Sequence, residues 1–350
     1  MVEVIAVRCI FWTDNDLIVQ TRSMYGGMPR QTPASFLFDK SGEVSHFRYF
    51  SNLMTARAIT EALIEPATPT DFLAIGPLSW AGEDSGGLRG AAPASDPSKP
   101  ALLILPGILG SNLKVGDERV WLSWRIVNGL DRLEYSSEPK SVAIEPDGPI
   151  GLSYDKLIRF FGATHSVTPF AFDWRIPIER EAARLAAAIT EALDARVQTR
   201  QPVRIIAHSM GGLVVRAMQI FAPDVWQRFV DAEGARILML GTPNGGSWAP
   251  MQVLSGDDTF GNTLSAVGSL FDGGKSRKIM ALMPGFLQLQ AGLLDPSRKL
   301  DTEEGWQALA TKDMESVEAA SVWHSLDAQK RICEWGCHRT RCWQLPRHCA

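Results

Sequence analysis

A short apolar run that leads into a serine between small residues restricts the fold of this chain more than any other feature. Residues 203–207, VRIIA, are typical of a buried strand, and residues 213–221, LVVRAMQIF, are typical of a helix. A serine in such a strand-to-helix turn has a strained backbone, and small residues must lie two positions to either side because strand and helix nearly touch. Ala207 and Gly211 meet this requirement. We therefore expect Ser209 at the exposed tip of a nucleophile elbow, rather than in a turn that only packs or binds phosphate.

The chain after residue 100 alternates strand-like and helical patterns, which is typical of βαβ units and a mostly parallel sheet. Apolar runs predict strands at 101–105, 164–172, 203–207 and 235–240. Between the second and third strands, an apolar stripe predicts a helix that ends before Pro202. Its members are Ile178, Ala182, Leu185, Ile189, Leu193 and Val197. The predicted fold class is α/β, with a helical cap at about 244–300, for which ordinary core helices are the alternative.

Composition divides the chain into four parts. Residues 1–80 alternate short apolar runs with turns, which predicts a small β-rich N-terminal domain with a helix near 53–64. Residues 81–100 are rich in Gly, Ala, Ser, Pro and Asp, and predict a linker. The α/β domain is placed at 101–326, and we expect it to be incomplete at its C-terminus. Residues 327–350 have an atypical composition and predict a disordered tail.

Charge and hydropathy exclude several classes of function. The net charge of −4 and the absence of a long basic stripe argue against nucleic-acid binding. No secretory signal and no apolar run of about 20 residues is readable, so we expect a cytoplasmic protein without a transmembrane segment. The Cys and His residues near the C-terminus match no paired-ligand spacing, so no metal site is predicted. No cofactor is expected either.

A second candidate motif is LLILPGILGSNL at 102–113, where an apolar strand ends in a glycine-rich loop. In acyl-transfer enzymes built on a parallel sheet, such a loop supplies one N–H of the oxyanion hole, and the residue after the nucleophile supplies the other. The sequence therefore predicts the backbone N–H groups of Ile108 and Met210 as the two donors.

Four motifs together resemble one family. LPGILGSNL, FAFDWR at 170–175, AHSMGGLVVR and LGTPNGG at 240–246 occur in the order seen in the lecithin:cholesterol acyltransferase-like branch of the α/β-hydrolases. The resemblance implies a mostly parallel central sheet flanked by helices, and O-acyltransferase or lipase chemistry on lipid esters through an acyl-enzyme at Ser209. It matches Ile108 and Met210 to the oxyanion positions, and it places Trp174 and Leu109 at the acyl pocket. Plain packing of Trp174 in the core is the alternative.

The catalytic acid and base are not identifiable from the sequence. Family members carry the acid in a GDG-type turn followed by the histidine, and no such turn follows Ser209. His208 is expected to be structural, because neighbouring residues on the turn project in different directions. His324 and Asp295 are candidates for base and acid, although no strand-like run precedes Asp295. Another serine esterase of the same fold, and a catalytically inactive or truncated module that binds lipid or protein, therefore remain alternatives.

Two apolar segments suggest peripheral contact with a membrane. Trp121 and Trp124 follow the glycine-rich loop, and Leu264, Val267 and Phe271 lie in the predicted cap. Indole rings suit a bilayer surface, but the same side chains could equally close the core.

Overall fold

The computed structural model describes residues 34–37, 52–64, 72–75, 95–116, 118–121, 133–135, 143–255, 279–291, 297, 299–300 and 302. Its elements in chain order are β1 (Ala34–Phe36), α1 (Leu53–Ile64), β2 (Leu73–Ile75), β3 (Ala101–Leu105), β4 (Ser111–Val115), β5 (Glu118–Arg119), β6 (Ile144–Pro149), α2 (Gly151–Gly162), β7 (Ser166–Pro169), α3 (Ile178–Asp194), β8 (Val203–His208), α4 (Met210–Phe221), α5 (Pro223–Asp231), β9 (Arg236–Leu240), α6 (Ala249–Ser255) and α7 (Pro284–Leu287).

A four-stranded parallel sheet forms the centre, in the order β7-β3-β8-β9. Each of its strands lies within, or one residue beyond, an apolar run that predicts a strand. β3 is in the middle and all five of its residues are buried, because helices cover both faces of the sheet. The predicted α/β architecture with a mostly parallel sheet is confirmed.

Successive strand residues divide between two cores because their side chains alternate between the faces of the sheet. Leu103 and Leu105 face a core shared with α3, α4 and α5. Leu102 and Ile104 face a second core shared with α1 and α2. The sheet is therefore sandwiched between two helical layers, as the α/β class requires.

The helix predicted between the second and third strands is confirmed as α3, and the stripe from Ile178 to Leu193 is buried against the sheet. Val197 was expected to continue this stripe, but its side chain is 60 % exposed. The helix ends at Asp194, and Val197 lies in the turn that follows, so the helical period no longer determines where its side chain points.

The N-terminal part contributes to the same fold through α1, which confirms the predicted helix near 53–64. Ile59 and Leu63 are buried beneath the sheet with Ile104 and Ile206. β1 and β2 form a separate antiparallel pair. The boundary between a β-rich domain and an α/β domain remains a proposal, and the predicted tail and most of the predicted linker lie outside the described residues.

The stretch predicted as a cap is described only at its ends. Residues 279–291 are mostly buried and supply Met283, Phe286 and Leu287 to the core around α3 and α4. A parallel bridge between Ser247 and Gln290 ties the two ends together. Residues 256–278 lie outside the described residues, so the cap itself remains a prediction.

A smaller antiparallel sheet, in the order β5-β4-β6, follows the glycine-rich loop. None of the helices in the described ranges is long and apolar enough to cross a membrane.

Candidate active site

Ser209 lies between β8 and α4, in the strand-to-helix turn that the sequence predicts. Its φ is +48° and its ψ is −122°, a combination that residues other than glycine adopt only under strain. Hydrogen bonds compensate for this strain. The Ser209 N–H donates to the carbonyl of Leu240 at 2.7 Å, and the Ser209 carbonyl accepts the N–H of Gly212 at 3.0 Å.

The hydroxyl is less accessible than we expected. Ser209 is only 3 % exposed, so the prediction of an exposed tip is wrong for the side chain, although the turn itself is as predicted. The glycine-rich loop packs directly on the turn and covers it. A Cβ at Gly107 would lie 2.9 Å from the Ser209 Cβ and 3.0 Å from the His208 ring.

Close packing explains the glycines that follow Ser209. A Cβ at Gly211 would lie 2.5 Å from the Pro106 carbonyl oxygen, and one at Gly212 would lie 1.9 Å from the Thr242 Oγ1. These are much shorter than van der Waals contacts. The turn therefore lies against both the glycine-rich loop and the TPNGG loop after β9.

The glycine-rich loop has a constrained backbone of its own. Leu109 has a φ of +59°, and the Gly110 N–H donates to the Gly107 carbonyl at 3.0 Å. Neither the N–H of Ile108 nor that of Met210 donates a hydrogen bond to another described residue. Both amides thus flank the junction of loop and turn with N–H groups that no described residue accepts.

Tyr154 of α2 joins the loop to the turn, a contact that no sequence pattern predicts. Its hydroxyl accepts the N–H of Gly107 at 2.7 Å and lies 2.9 Å from the Nδ1 of His208. Burial raises the pKa of this phenol far above its usual value, so the hydroxyl stays protonated. His208 is held in this buried contact, in line with the structural role expected for it. Tyr154 is 54 residues away from His208 in sequence, and no motif links the two.

The DWR segment contains a buried ion pair that the sequence analysis missed. Arg175 donates from Nη2 to the Asp173 Oδ2 at 2.6 Å and from Nε to the Oδ1 at 2.9 Å. Its Nη1 donates to the Leu133 carbonyl at 3.0 Å. Arg175 also anchors α7, since its carbonyl accepts the Gly285 N–H at 3.0 Å. The motif therefore holds the loop at residue 133 and the segment around α7 next to the site.

A second buried carboxylate supports this segment. The Glu181 Oε1 accepts the N–H of Asp173 at 3.0 Å, and its other oxygen pairs with Arg184. Burial raises the pKa of Glu181, while Arg184 and the Asp173 N–H oppose this effect. The acidic residue at the start of α3 thus fixes the backbone of the DWR turn.

Two tryptophans that were given surface or pocket roles lie in the core. Trp174 is 1 % exposed, and its Nε1 donates to the Ser111 carbonyl at 3.2 Å. Trp121 is 6 % exposed, donates from Nε1 to the Leu109 carbonyl at 2.9 Å, and meets the Trp174 ring edge-on at 5.3 Å. The prediction that Trp121 contacts a membrane is therefore wrong, because its polar N–H is already used inside the fold. Trp124, Leu264, Val267 and Phe271 lie outside the described residues.

The predicted acid and base, Asp295 and His324, also lie outside the described residues. Within the described ranges, Asp224, Asp231 and Glu233 follow Ser209, and all three are exposed. The described part of the chain contains no cluster of three or more His, Cys, Asp or Glu side chains that could hold a metal ion.

A comparison with protein families gives a match. Residues 158–288 match the family model described as lecithin:cholesterol acyltransferase. This segment is similar to that family. It contains the DWR turn, Ser209 and the TPNGG loop, which confirms the resemblance for three of the four motifs. The fourth motif, LPGILGSNL, precedes the matched residues. A comparison with curated proteins finds no match.

The family match and the topology agree on the fold. The lecithin:cholesterol acyltransferase family has the α/β-hydrolase fold, and this chain has the mostly parallel sheet and flanking helices of that fold. The family is one of lipid acyltransferases and esterases, whose members act on lipid substrates.

Proposed function

We propose that this protein is a serine-dependent O-acyltransferase or lipase that acts on lipid esters through an acyl-enzyme at Ser209. The observation that carries the proposal is the strained backbone of Ser209, which directly follows a central strand and precedes the N-terminus of α4. A non-glycine residue is held in such a conformation only when the surrounding structure enforces it, and such residues cluster at functional sites.

The glycine-rich loop next to Ser209 has the features expected of an oxyanion hole. We assign its two donors to the N–H groups of Ile108 and Met210, which donate to no other described residue. Donors fixed before the reaction stabilise a developing oxyanion without reorganisation, and each contributes roughly 10²–10³-fold in rate. We also assign Trp174 and Leu109 to the wall of the acyl pocket.

The reaction follows from this arrangement. The Ser209 oxygen forms a bond to the acyl carbon, its proton passes to a base, and the ester oxygen leaves as an alcohol after it takes up a proton. A second alcohol or water then attacks the acyl-enzyme, which releases Ser209. His324 and Asp295 are proposed as the base and the acid of this cycle.

Covalent labelling tests this function directly. A long-chain alkyl fluorophosphonate should add its phosphonyl group to Ser209 with loss of fluoride, and peptide mass spectrometry should locate the adduct. Ser209→Ala should abolish labelling. Ser166→Ala is the matched control. Ser166 is also buried, but it lies at the N-terminal end of β7, whereas Ser209 follows the C-terminal end of β8. An unlabelled Ser209 after prolonged incubation would refute the proposal.

A second candidate is an acyl-binding module that does not turn over, favoured by the lack of a GDG-type turn after Ser209. The same module would still bind a long-chain fatty acid or ester. Isothermal titration with such a ligand, together with an absence of phosphonylation, would support this alternative over the enzyme.

A further inference from the structure

The Tyr154 hydroxyl connects the two loops of the site described above. One partner, Gly107, directly precedes Ile108, and the other, His208, directly precedes Ser209. Tyr154, Gly107 and His208 are all buried, so water does not compete for these contacts. The Tyr154 and His208 rings lie 6.2 Å apart between centroids.

The direction of one of these bonds is fixed by chemistry. The Gly107 N–H can only donate, so the phenol oxygen accepts it in every protonation state of His208. The phenol group also bonds to Nδ1 in either neutral tautomer of His208, as donor or as acceptor. The hydroxyl therefore joins loop and turn whichever tautomer is present.

The Tyr154 link limits which N–H groups of the loop can donate to an oxyanion. Because the Gly107 N–H is used by Tyr154, it is not available to a substrate, and the next N–H along the chain is that of Ile108. A Cβ added at Gly107 would lie only 2.9 Å from the Ser209 Cβ, so the loop has little room to move towards the turn. A displacement of about 1 Å of a catalytic group costs up to about 10²-fold in rate.

We propose that Tyr154 is a positioning residue of this site, whose hydroxyl holds the oxyanion loop at a fixed distance from the nucleophile turn. The proposal rests on the function proposed for Ser209. It assigns no contact between Tyr154 and substrate, and the phenol acts only through Gly107 and His208.

Tyr154→Phe removes the hydroxyl and keeps the ring. The rate constant of phosphonylation, kinact, should fall about 10- to 100-fold, while KI stays within about twofold because the acyl pocket is intact. Ser166→Ala is the matched control, since the Ser166 hydroxyl also accepts a loop N–H, that of Asp96 at 2.9 Å, but far from Ser209. It should lower stability without changing kinact. A folded Tyr154→Phe with unchanged kinact would overturn the proposal.

A pair of substitutions at His208 covers the case in which Tyr154→Phe does not fold. His208→Asn keeps an acceptor at the δ position and should retain kinact within about threefold. His208→Leu removes the acceptor and should lower kinact as Tyr154→Phe does. Equal rates for the two variants would contradict a positioning role.

Hydrogen exchange separates this inference from the function on which it rests. In Tyr154→Phe, or in His208→Leu if the former does not fold, the amides of residues 107–110 should exchange at least about tenfold faster than in the wild type. This readout needs no reaction at Ser209. An unlabelled wild type would refute the proposed function alone, while unchanged exchange in these variants would refute the role of Tyr154.

Discussion

Single residues around the nucleophile turn are constrained by contacts that leave no room for extra atoms. Gly212 lies in the first turn of α4 against Thr242, and a methyl group there would overlap both the Oγ1 and the Cγ2 of that side chain. In contrast, a Cβ at Gly162, the last residue of α2, would meet nothing within 4 Å. The two glycines are both helical but differ in their surroundings.

Gly212→Ala should therefore destabilise the protein by about 1–3 kcal/mol, since overpacking forces backbone or side chains to move. Gly162→Ala should leave stability unchanged or slightly raised, because alanine is the better helix former. Thr242→Ala in the Gly212→Ala background should recover part of the loss. Urea denaturation of the three variants and the wild type measures these differences, and equal midpoints for the two glycine variants would contradict this packing.

His165 gives the fold a pH dependence of its own. Burial, followed by the nearby Arg204 guanidinium, lowers the pKa of His165 to about 4. Its Nε2 accepts a hydrogen bond from the Arg204 Nη1 at 3.0 Å, and its Nδ1 lies 2.9 Å from the Thr164 Oγ1. Protonation would place two cations in contact.

Stability should accordingly fall as the pH drops. The unfolded chain binds a proton at His165 below about pH 6.5, whereas the folded state stays neutral until about pH 4, so protons favour unfolding within this window. The expected loss between pH 7 and pH 5.5 is about 1 kcal/mol after solvent screening is included. His165→Gln, which keeps an acceptor for Arg204, should remove this slope in urea titrations at the two pH values. An identical slope in the variant would assign the effect to other groups.

At the scale of elements, α1 connects the N-terminal part of the chain to the α/β sheet. Leu63 is buried in the core beneath β3 and β8, while its neighbour Ile64 is 47 % exposed. The helix is thus one of the two that cover this face of the sheet.

Leu63→Ala should destabilise the folded chain by about 2–4 kcal/mol, because it removes buried methyl groups and leaves a cavity. Ile64→Ala, one residue away, should cost less than about 1 kcal/mol. Thermal melting followed by far-UV circular dichroism measures both. If Leu63→Ala left the main transition unchanged, α1 would not be part of the cooperative unit that contains the sheet.

At the scale of the whole molecule, the nucleophile turn is intact, whereas the sequence does not identify the catalytic acid and base. A serine without a base is a weak nucleophile near neutral pH, but oxyanion donors and binding alone leave roughly 10³–10⁴-fold catalysis over water. If His324 does not serve as that base, we expect slow steady hydrolysis of p-nitrophenyl esters without a burst, and Ser209→Ala should reduce it further. A full burst that is lost in Ser209→Ala would instead show that a base is present, and His324→Ala would be the next variant to measure.

Local patterns determined much of the fold. Continuous apolar runs placed the four parallel strands, and one period of apolar residues placed α3, because both signals depend on neighbours within a few positions. The serine between Ala207 and Gly211 was assigned to its turn for the same reason. The end of the helix was not predicted from these local patterns. The sequence does not mark Asp194 as its last residue, and Val197 was therefore expected in the buried stripe.

Long-range contacts decided the rest. The Tyr154 bridge joins residues 47 and 54 positions apart, and the Arg175 contact with Leu133 spans 42 positions. No periodicity or motif encodes such pairs, because they depend on how complete elements pack. The same holds for how deeply Ser209, Trp121 and Trp174 are buried, which the sequence did not indicate. The sequence by itself determined which local turn Ser209 occupies, and only the tertiary structure decided which groups cover that turn and hold it in place.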